Sequence, residues 1–210
     1  MLEPMRYKVS IIGHFDSGRQ SLDGQTIKTR IIADALQKEY GERNVSLCDT
    51  CDGLPFLLKL PFLSFWNVLR SENVVMMTAQ KGVLFVPFWL FLWNLFYHRQ
   101  LIYVTIGGWL PDLLRKHRLV RYFLSRFDCI FVETAGRMKM LSELGLNNVC
   151  IMPNCKFLNI LSSSEIVHKE YDTLRLCTFS RVVKTKGIEE AIEAVKLCRN
   201  QYCKEVFLDI

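Results

Sequence analysis

Residues 101–133 read LIYVTIGGWLPDLLRKHRLVRYFLSRFDCIFVE, and this stretch decides the fold class. An apolar β-rich run at 101–106 precedes a helix-like segment at 111–126, and a second apolar run follows at 128–133. Pro111 stands where a helix can begin, because the first turn does not need its N–H. A strand, a helix and a second strand in this order predict one parallel βαβ unit.

The same alternation extends along most of the chain. A helix is predicted at 23–40, with Gly41 after it as a C-cap. The predicted strands occupy residues 8–13, 44–49, 73–78, 101–106, 128–133 and 149–152. Their spacing leaves room for helices between them, which predicts an α/β fold with a Rossmann-like doubly wound parallel sheet.

A looser, serine-containing segment after Asn154 predicts a boundary near residue 170. Beyond it, a strand at 174–179, a helix at 187–199 and a strand at 205–210 predict one further βαβ unit. We therefore expect a first domain at 1–170 and the incomplete start of a second Rossmann-like domain at 171–210.

Composition restricts the class of protein. The 210 residues are 50% hydrophobic and 12% aromatic, which excludes intrinsic disorder. A formal net charge of +6 favours anionic partners such as nucleotides or acidic lipid headgroups. Nucleic acid is disfavoured because no DNA- or RNA-binding motif is present. The N-terminus lacks a basic region followed by an apolar run, so we expect a cytoplasmic protein.

The cysteines allow two interpretations. Cys48 and Cys51 form a CxxC pair, but no second pair follows at zinc-like spacing, so structural use is favoured over metal or redox use. The other six cysteines fall mostly in apolar patterns, which predicts reduced core residues.

Two segments are candidates for contact with a membrane. Residues 83–97, VLFVPFWLFLWNLFY, are too short to span a bilayer and contain Pro87, which leaves a segment at the membrane interface, or a buried helix or loop. In 111–126, one side is apolar and includes Leu119, and the other carries cations that either attract anionic lipid or face solvent. Those cations are Arg115, Arg118, Arg121 and Arg126.

Glycine turns follow two predicted strands, at the edge where an open α/β sheet binds its ligands. The first loop runs from Gly13 to Gly24 and Gln25, and the second contains Gly107, Gly108 and Trp109. The first loop lacks the GxGxxG spacing, which disfavours a nicotinamide or flavin cofactor. An ordinary βα loop remains the alternative in both places, and Trp109 either stacks on a ligand or caps the core.

A basic loop, FSRVVKTKG at 179–187, lies between a predicted strand and an amphipathic helix. Arg181 can bind two oxygens of a diphosphate, and Lys186 can add a second positive charge. A solvated basic loop is the alternative.

Three stretches together resemble the family 4 glycosyltransferases of the GT-B type. They are DGQTIKTRIIADAL from Asp23, IGGWLPDLL with the following FDCIFVETAGRMKMLSELGLNNVCIMPNCK, and LCTFSRVVKTKGIEEAIEAV. The resemblance implies two Rossmann-like domains, with Arg181 and Lys186 at the positions that bind the donor diphosphate. The IGGWLP variant is similar to bacterial members that build cell-surface polysaccharides, often on lipid-linked acceptors at the cytoplasmic face of the membrane.

The resemblance implies a retaining glycosyltransferase that moves a sugar from a nucleotide diphosphate sugar to a saccharide or lipid-linked acceptor, without a cofactor or metal. The catalytic residues are not assigned, because the family's ExxxxxxxE motif has no counterpart before Ile210 and a family histidine is replaced near Gly107. We therefore expect the 210 residues alone to have little activity. The alternatives are a non-catalytic, membrane-associating acceptor subunit that pairs with a donor-binding chain, and a related epimerase.

Overall fold

The computed structural model describes residues 6–15, 24–50, 54–154, 160, 162–165, 173–180, 182–202 and 205–210. Contacts divide the chain into two compact units, Met1–Lys156 and Phe157–Ile210. Residue 170, near which the domain boundary is predicted, lies outside the described residues. Each unit is considered separately below.

The first unit contains a parallel sheet built from all six predicted strands. They are β1 (Tyr7–Gly13), β2 (Val45–Asp49), β3 (Ser71–Met77), β4 (Gln100–Val104), β5 (Cys129–Val132) and β6 (Val149–Ile151). Every neighbouring pair runs parallel, and the order across the sheet is β2-β1-β3-β4-β5-β6. The predicted α/β class with a parallel sheet is confirmed, and the sheet is compatible with a Rossmann-like arrangement.

The strand order reverses between β1 and β3. The chain moves from β1 outwards to β2 and then returns across β1 to β3, from which it continues in the opposite direction. Such a reversal leaves the loops after β1 and β3 on opposite faces of the sheet, which opens a crevice at the carboxyl ends of these strands. A polar ligand of the first unit is therefore expected at this edge.

Seven helices among the described residues of the first unit surround the sheet. They are α1 (Gly24–Tyr40), α2 (Leu54–Arg70), α3 (Gln80–Val83), α4 (Val86–Tyr97), α5 (Leu110–Lys116), α6 (Arg118–Leu124) and α7 (Ala135–Glu143). Neighbouring residues of β1 belong to two cores, because side chains alternate along a strand. Ile11 packs with Ala33 of α1, whereas Ile12 belongs to the larger core formed with the other helices.

The predicted single helix at 111–126 is wrong, because the chain forms two short helices there. His117 adopts a non-helical conformation, with φ −120° and ψ 83°, between α5 and α6. Leu110 and Leu114 are buried in α5, and Val120 and Leu124 are buried in α6. In a continuous helix Leu114 and Val120 would lie about 120° apart around the axis, and in the broken one both of these residues are buried.

Two further features differ from expectation. Leu119, placed on the apolar side of the helix, is 73% exposed, because Val120 and Leu124 face the core and Leu119 lies about 100° from Val120 around the helix axis. Helix α2 was not predicted, although its buried residues Phe56, Leu60 and Ser64 follow a helical period. Pro61 lies inside this helix and the apolar residues cover both of its sides, so the periodic signal is weak.

The second unit has the predicted order of strand, helix and strand. Strand β7 (Leu174–Cys177) pairs in parallel with β8 (Val206–Asp209), and α8 (Ile188–Tyr202) connects them. A short 3-10 helix, Lys184–Lys186, precedes α8. The predicted βαβ unit is therefore confirmed at the level of its elements.

None of the described helices combines the length and the apolar character that crossing a membrane requires. The cysteines described there are all free thiols, and two of them, Cys150 and Cys177, are exposed. The prediction of core positions is wrong for this pair. Cys150 lies on the edge strand β6 and Cys177 on the two-stranded sheet, where the covering layers are incomplete.

Candidate functional site

The carboxyl edge of the six-stranded sheet gathers polar groups from distant parts of the sequence. Thr78 directly follows β3, Thr105 follows β4 and Glu133 follows β5. Helix α1 begins near this edge because parallel connections return the chain along the outside of the sheet. The polar groups that end neighbouring strands are thereby brought together.

An ion-pair cluster lies at the centre of this edge. Lys28 Nζ of α1 lies 3.2 Å from Glu133 Oε1 and donates a hydrogen bond of 3.0 Å to the backbone oxygen of Thr105. Arg137 Nη1 of α7 pairs with the second carboxylate oxygen of Glu133. The side chains of Lys28 and Glu133 are each 12% exposed, so water screens this pair only weakly.

The cluster keeps the Glu133 carboxylate ionised. Burial alone would raise the pKa of Glu133, but the hydrogen bond from Arg137 and the positive charge of Lys28 outweigh it and hold the pKa below its usual value. A carboxylate that is ionised and already paired serves as a hydrogen-bond acceptor rather than as a proton donor at neutral pH. Sequence reasoning missed Lys28, Glu133 and Arg137; the one available signal was an acidic residue at the carboxyl end of a predicted strand.

The predicted turn at Gly107 and Gly108 lies beside this cluster. Gly107 has φ +82°, a conformation that side chains disfavour, and a Cβ there would lie 3.2 Å from Trp109 Cδ1. A Cβ on Gly108 would lie 3.2 Å from Arg137 Nη2. The absence of a side chain therefore lets the turn approach the guanidinium of Arg137 closely. Trp109 is half-buried and packs against the larger core, which favours its role as a core cap.

The predicted loop after β1 is only partly described, because residues 16–23 lie outside the described residues. Gly13 ends β1, and a Cβ there would come within 2.8 Å of Thr29 Cγ2, so this glycine allows α1 to pack closely on the strand. Gly24 is the first residue of α1 and faces open space, and the half-buried Gln25 follows it. Gly24 and Gln25 therefore stand at the helix end nearest the crevice.

Three threonine hydroxyls near the same edge lack hydrogen-bond partners among the described residues. They are Thr29 Oγ1, Thr78 Oγ1 and Thr105 Oγ1, and all three are buried. Buried polar atoms in native proteins are nearly always paired, with protein or with bound water. These hydroxyls are consistent with an edge that holds water or a polar ligand.

The basic loop of the second unit is described except for Arg181, which lies outside the described residues. Lys186 is exposed at the end of the 3-10 helix, and its backbone N–H donates to the oxygen of Val183 at 2.9 Å. Gly187 has φ +71°, so the chain turns sharply there before α8 begins at Ile188. Lys186 is thus held next to the first N–H groups of a 15-residue helix, where anions are favoured.

The four predicted membrane-facing arginines differ in their surroundings. Arg115 pairs with Asp112 at 2.6 Å, whereas the guanidinium of Arg126 lies 5.0 Å from the centre of the Tyr122 ring. Arg118 is exposed and Arg121 is half-buried. The break at His117 prevents the four from forming one continuous helical stripe.

The CxxC pair is only half described, since Cys51 lies outside the described residues. Cys48 is half-buried, and burial, the largest effect, raises the pKa of its thiol. Within the described ranges, no three histidine, cysteine, aspartate or glutamate side chains lie close enough together to hold a metal ion.

Comparison with known proteins adds no assignment: no family model matches the chain, and none of the curated proteins matches it significantly.

Proposed function

We propose that this chain is part of a retaining glycosyltransferase that moves a sugar from a nucleotide diphosphate sugar to a saccharide or lipid-linked acceptor. The observation that carries the proposal is the Lys186–Gly187 turn, which joins a parallel strand to the start of α8. A cation at this position can compensate the negative charge that builds on a departing diphosphate. The resemblance of residues 176–195 to the donor loop of family 4 enzymes supports the same role.

The first unit supports the acceptor half of the proposal. Its carboxyl edge combines the Gly107–Gly108 turn with Glu133, whose carboxylate stays ionised beside Arg137. Sugar hydroxyls donate well to carboxylates and accept from guanidinium groups, so such a pair suits a saccharide. Gly24 and Gln25 border the same crevice in this proposal.

The donor assignment is tested by titrating the 210-residue chain with a nucleoside diphosphate. We expect Lys186→Ala to weaken binding about tenfold or more, as loss of a charged hydrogen bond implies, and Arg181→Ala to weaken it at least as much. Lys196→Ala is the matched control, because Lys196 is an exposed lysine of the same unit that pairs with Glu193 at 3.6 Å. Equal affinity in all four proteins would contradict the donor assignment.

The same titration distinguishes the glycosyltransferase proposal from the second candidate function, that of a non-catalytic acceptor subunit. A non-catalytic acceptor subunit would leave nucleotide binding to another chain, so the isolated chain would show no nucleotide binding at any concentration tested. Saturable binding that depends on Lys186 would instead exclude this subunit interpretation.

A further inference from the structure

Helix α2 exposes an unusual number of large apolar side chains. Leu58, Phe62 and Trp66 follow one another at four-residue spacing on its outward side, with exposed fractions of 77%, 78% and 50%. Its inward side already fills the core with Phe56 and Leu60. A helix that packs on a sheet normally presents polar residues outwards, so the packing of α2 on the core does not explain this second apolar stripe.

The stripe continues across the neighbouring helices. Phe88 and Phe96 of α4, and Leu119 of α6, are also exposed, the last two at 70% and 73%. Edge-on ring contacts join neighbouring helices. The ring centres of Phe65 of α2 and Trp93 of α4 are 5.1 Å apart, and those of Phe88 of α4 and Phe123 of α6 are 5.4 Å apart. We call this surface the apolar face, and its outward residues are Leu58, Phe62, Trp66, Phe85, Phe88, Phe96, Leu119 and Tyr122.

The charged side chains on four helices of this face are all positive, and the fifth, α5, has one acidic residue, Asp112, which pairs with Arg115. Helices α2, α3, α4 and α6 contain no aspartate or glutamate. Their cations are Lys59, Arg70, Lys81, Arg118 and Arg121. The Arg70 guanidinium lies 4.2 Å from the centre of the Trp66 ring, which joins a cation directly to the apolar stripe. Aromatic residues combined with cations are typical of surfaces at the level of lipid headgroups.

A groove with a cavity volume of about 800 Å³ opens in this face, between the α3–α4 turn and the α5–α6 break. Phe85, Phe88 and Leu119 are among its apolar lining residues. The consecutive residues Arg115, Lys116, His117 and Arg118 also line the groove. Apolar walls beside a cationic border match the two parts of a phospholipid, an acyl chain and a phosphate.

We propose that the apolar face is a membrane-docking surface that lies flat on a bilayer containing anionic lipids. The aromatic and leucine side chains enter the headgroup region, and the arginines and lysines pair with lipid phosphates. A second copy of the chain fits less well, since a two-fold interface would bring two surfaces with predominantly positive charges against each other. This inference does not depend on the proposed sugar transfer.

The test is co-sedimentation of the 210-residue chain with vesicles. We expect binding to vesicles of phosphatidylglycerol mixed with phosphatidylcholine, and much weaker binding to phosphatidylcholine alone. Phe62→Ser should weaken binding roughly tenfold through lost apolar contact, and Arg118→Glu should weaken it at least about fivefold. Neither change touches the core, since both side chains are exposed.

Matched controls lie elsewhere on the first unit. Tyr40→Ser removes an exposed aromatic ring from α1, and Arg43→Glu reverses an exposed charge in the 3-10 helix Glu42–Asn44. Both variants should bind like the unmodified chain. Failure of the unmodified chain to bind anionic vesicles, or equal losses in the controls, would overturn the proposal.

Light scattering without lipid tests the alternative that a second copy of the chain covers the apolar face. A stable dimer that Phe62→Ser dissociates would assign the face to a second copy and would also overturn the proposal. The nucleotide titration is performed without lipid, so a failure to bind membranes does not affect the donor assignment. Likewise, a failure to bind nucleotide does not affect the membrane-docking proposal.

Discussion

The ammonium group of Lys28 lies 3.2 Å from Glu133 Oε1, although the two residues are 105 positions apart in the sequence. Lys28 belongs to α1 on one face of the sheet, and Glu133 connects β5 to α7 on the other face. The pair therefore joins both helical layers at the carboxyl edge. Arg137 contacts the same carboxylate, so the position of Glu133 is determined from two sides.

Replacing Glu133 with glutamine should reduce the free energy of unfolding by about 1.5–3 kcal/mol, the usual size of a hydrogen bond to a charged group. The loss arises because the nearly buried Lys28 ammonium keeps its charge without its counterion. Urea denaturation measures the change. Glu72→Gln is the control, since Glu72 pairs with Lys8 at 3.1 Å on the surface and should cost less than about 1 kcal/mol. Equal effects at both positions would contradict a special role for the cluster.

The stability of the chain should also depend on pH through Glu133. Because the folded state holds the pKa of Glu133 below its usual value, its stabilising contribution is complete above the unfolded pKa of about 4.3. The contribution is lost as the pH falls through the lower folded pKa. Unfolding free energies from urea titrations between neutral and acidic pH should fall less steeply in Glu133→Gln than in the unmodified chain. Parallel curves would show that Glu133 titrates normally.

Gly107→Ala should destabilise the first unit by about 1–2 kcal/mol, because an alanine at φ +82° places its Cβ against the carbonyl oxygen. Gly136→Ala is the matched control within α7, where an added Cβ meets no atom within 4 Å. There the change should stabilise the helix by about 0.5–1 kcal/mol. The midpoints of thermal or urea unfolding should therefore shift in opposite directions in the two variants. Shifts of the same sign would contradict the turn geometry.

The orientation of α2 can be checked by truncating two leucines on its opposite sides. Leu60 is 1% exposed in the larger core, so Leu60→Ala should cost about 2–5 kcal/mol. Leu58 is 77% exposed, so Leu58→Ala should change the unfolding free energy by less than about 0.5 kcal/mol. Comparable losses at both positions would mean that the helix is rotated or that its outward side is covered.

The elements that the sequence predicted well are those with a strong local signal. All six strands of the first sheet were found from short apolar runs, and Gly24–Tyr40 was found from its helical period. Helix α2 was missed because apolar residues on both its sides blur the period that distinguishes a helix. The interruption at His117 was missed because apolar residues, including Leu119, recur on both sides of it, so the pattern along the chain does not mark a break.

The candidate site was predictable in location but not in composition. Glycine turns at strand ends indicated the carboxyl edge, and Gly107 and Gly108 do lie there beside Arg137. The four-residue spacing of Glu133 and Arg137 suits a contact between them, but nothing in the sequence indicates that Lys28 joins the pair. Its contact with them depends on which strands become neighbours, and that order is set by packing between distant segments.

The sequence by itself determined the alternation of strands and helices, the parallel α/β class and the position of the basic loop around Lys186, because hydrophobic periodicity and turn residues act over a few neighbouring positions. Only the tertiary structure decided the strand order, the burial of the Lys28–Glu133 pair and the outward exposure of Phe62 and Leu119. These properties arise from contacts between segments far apart in the chain, and an apolar residue looks the same in the sequence whether it faces the core or the solvent.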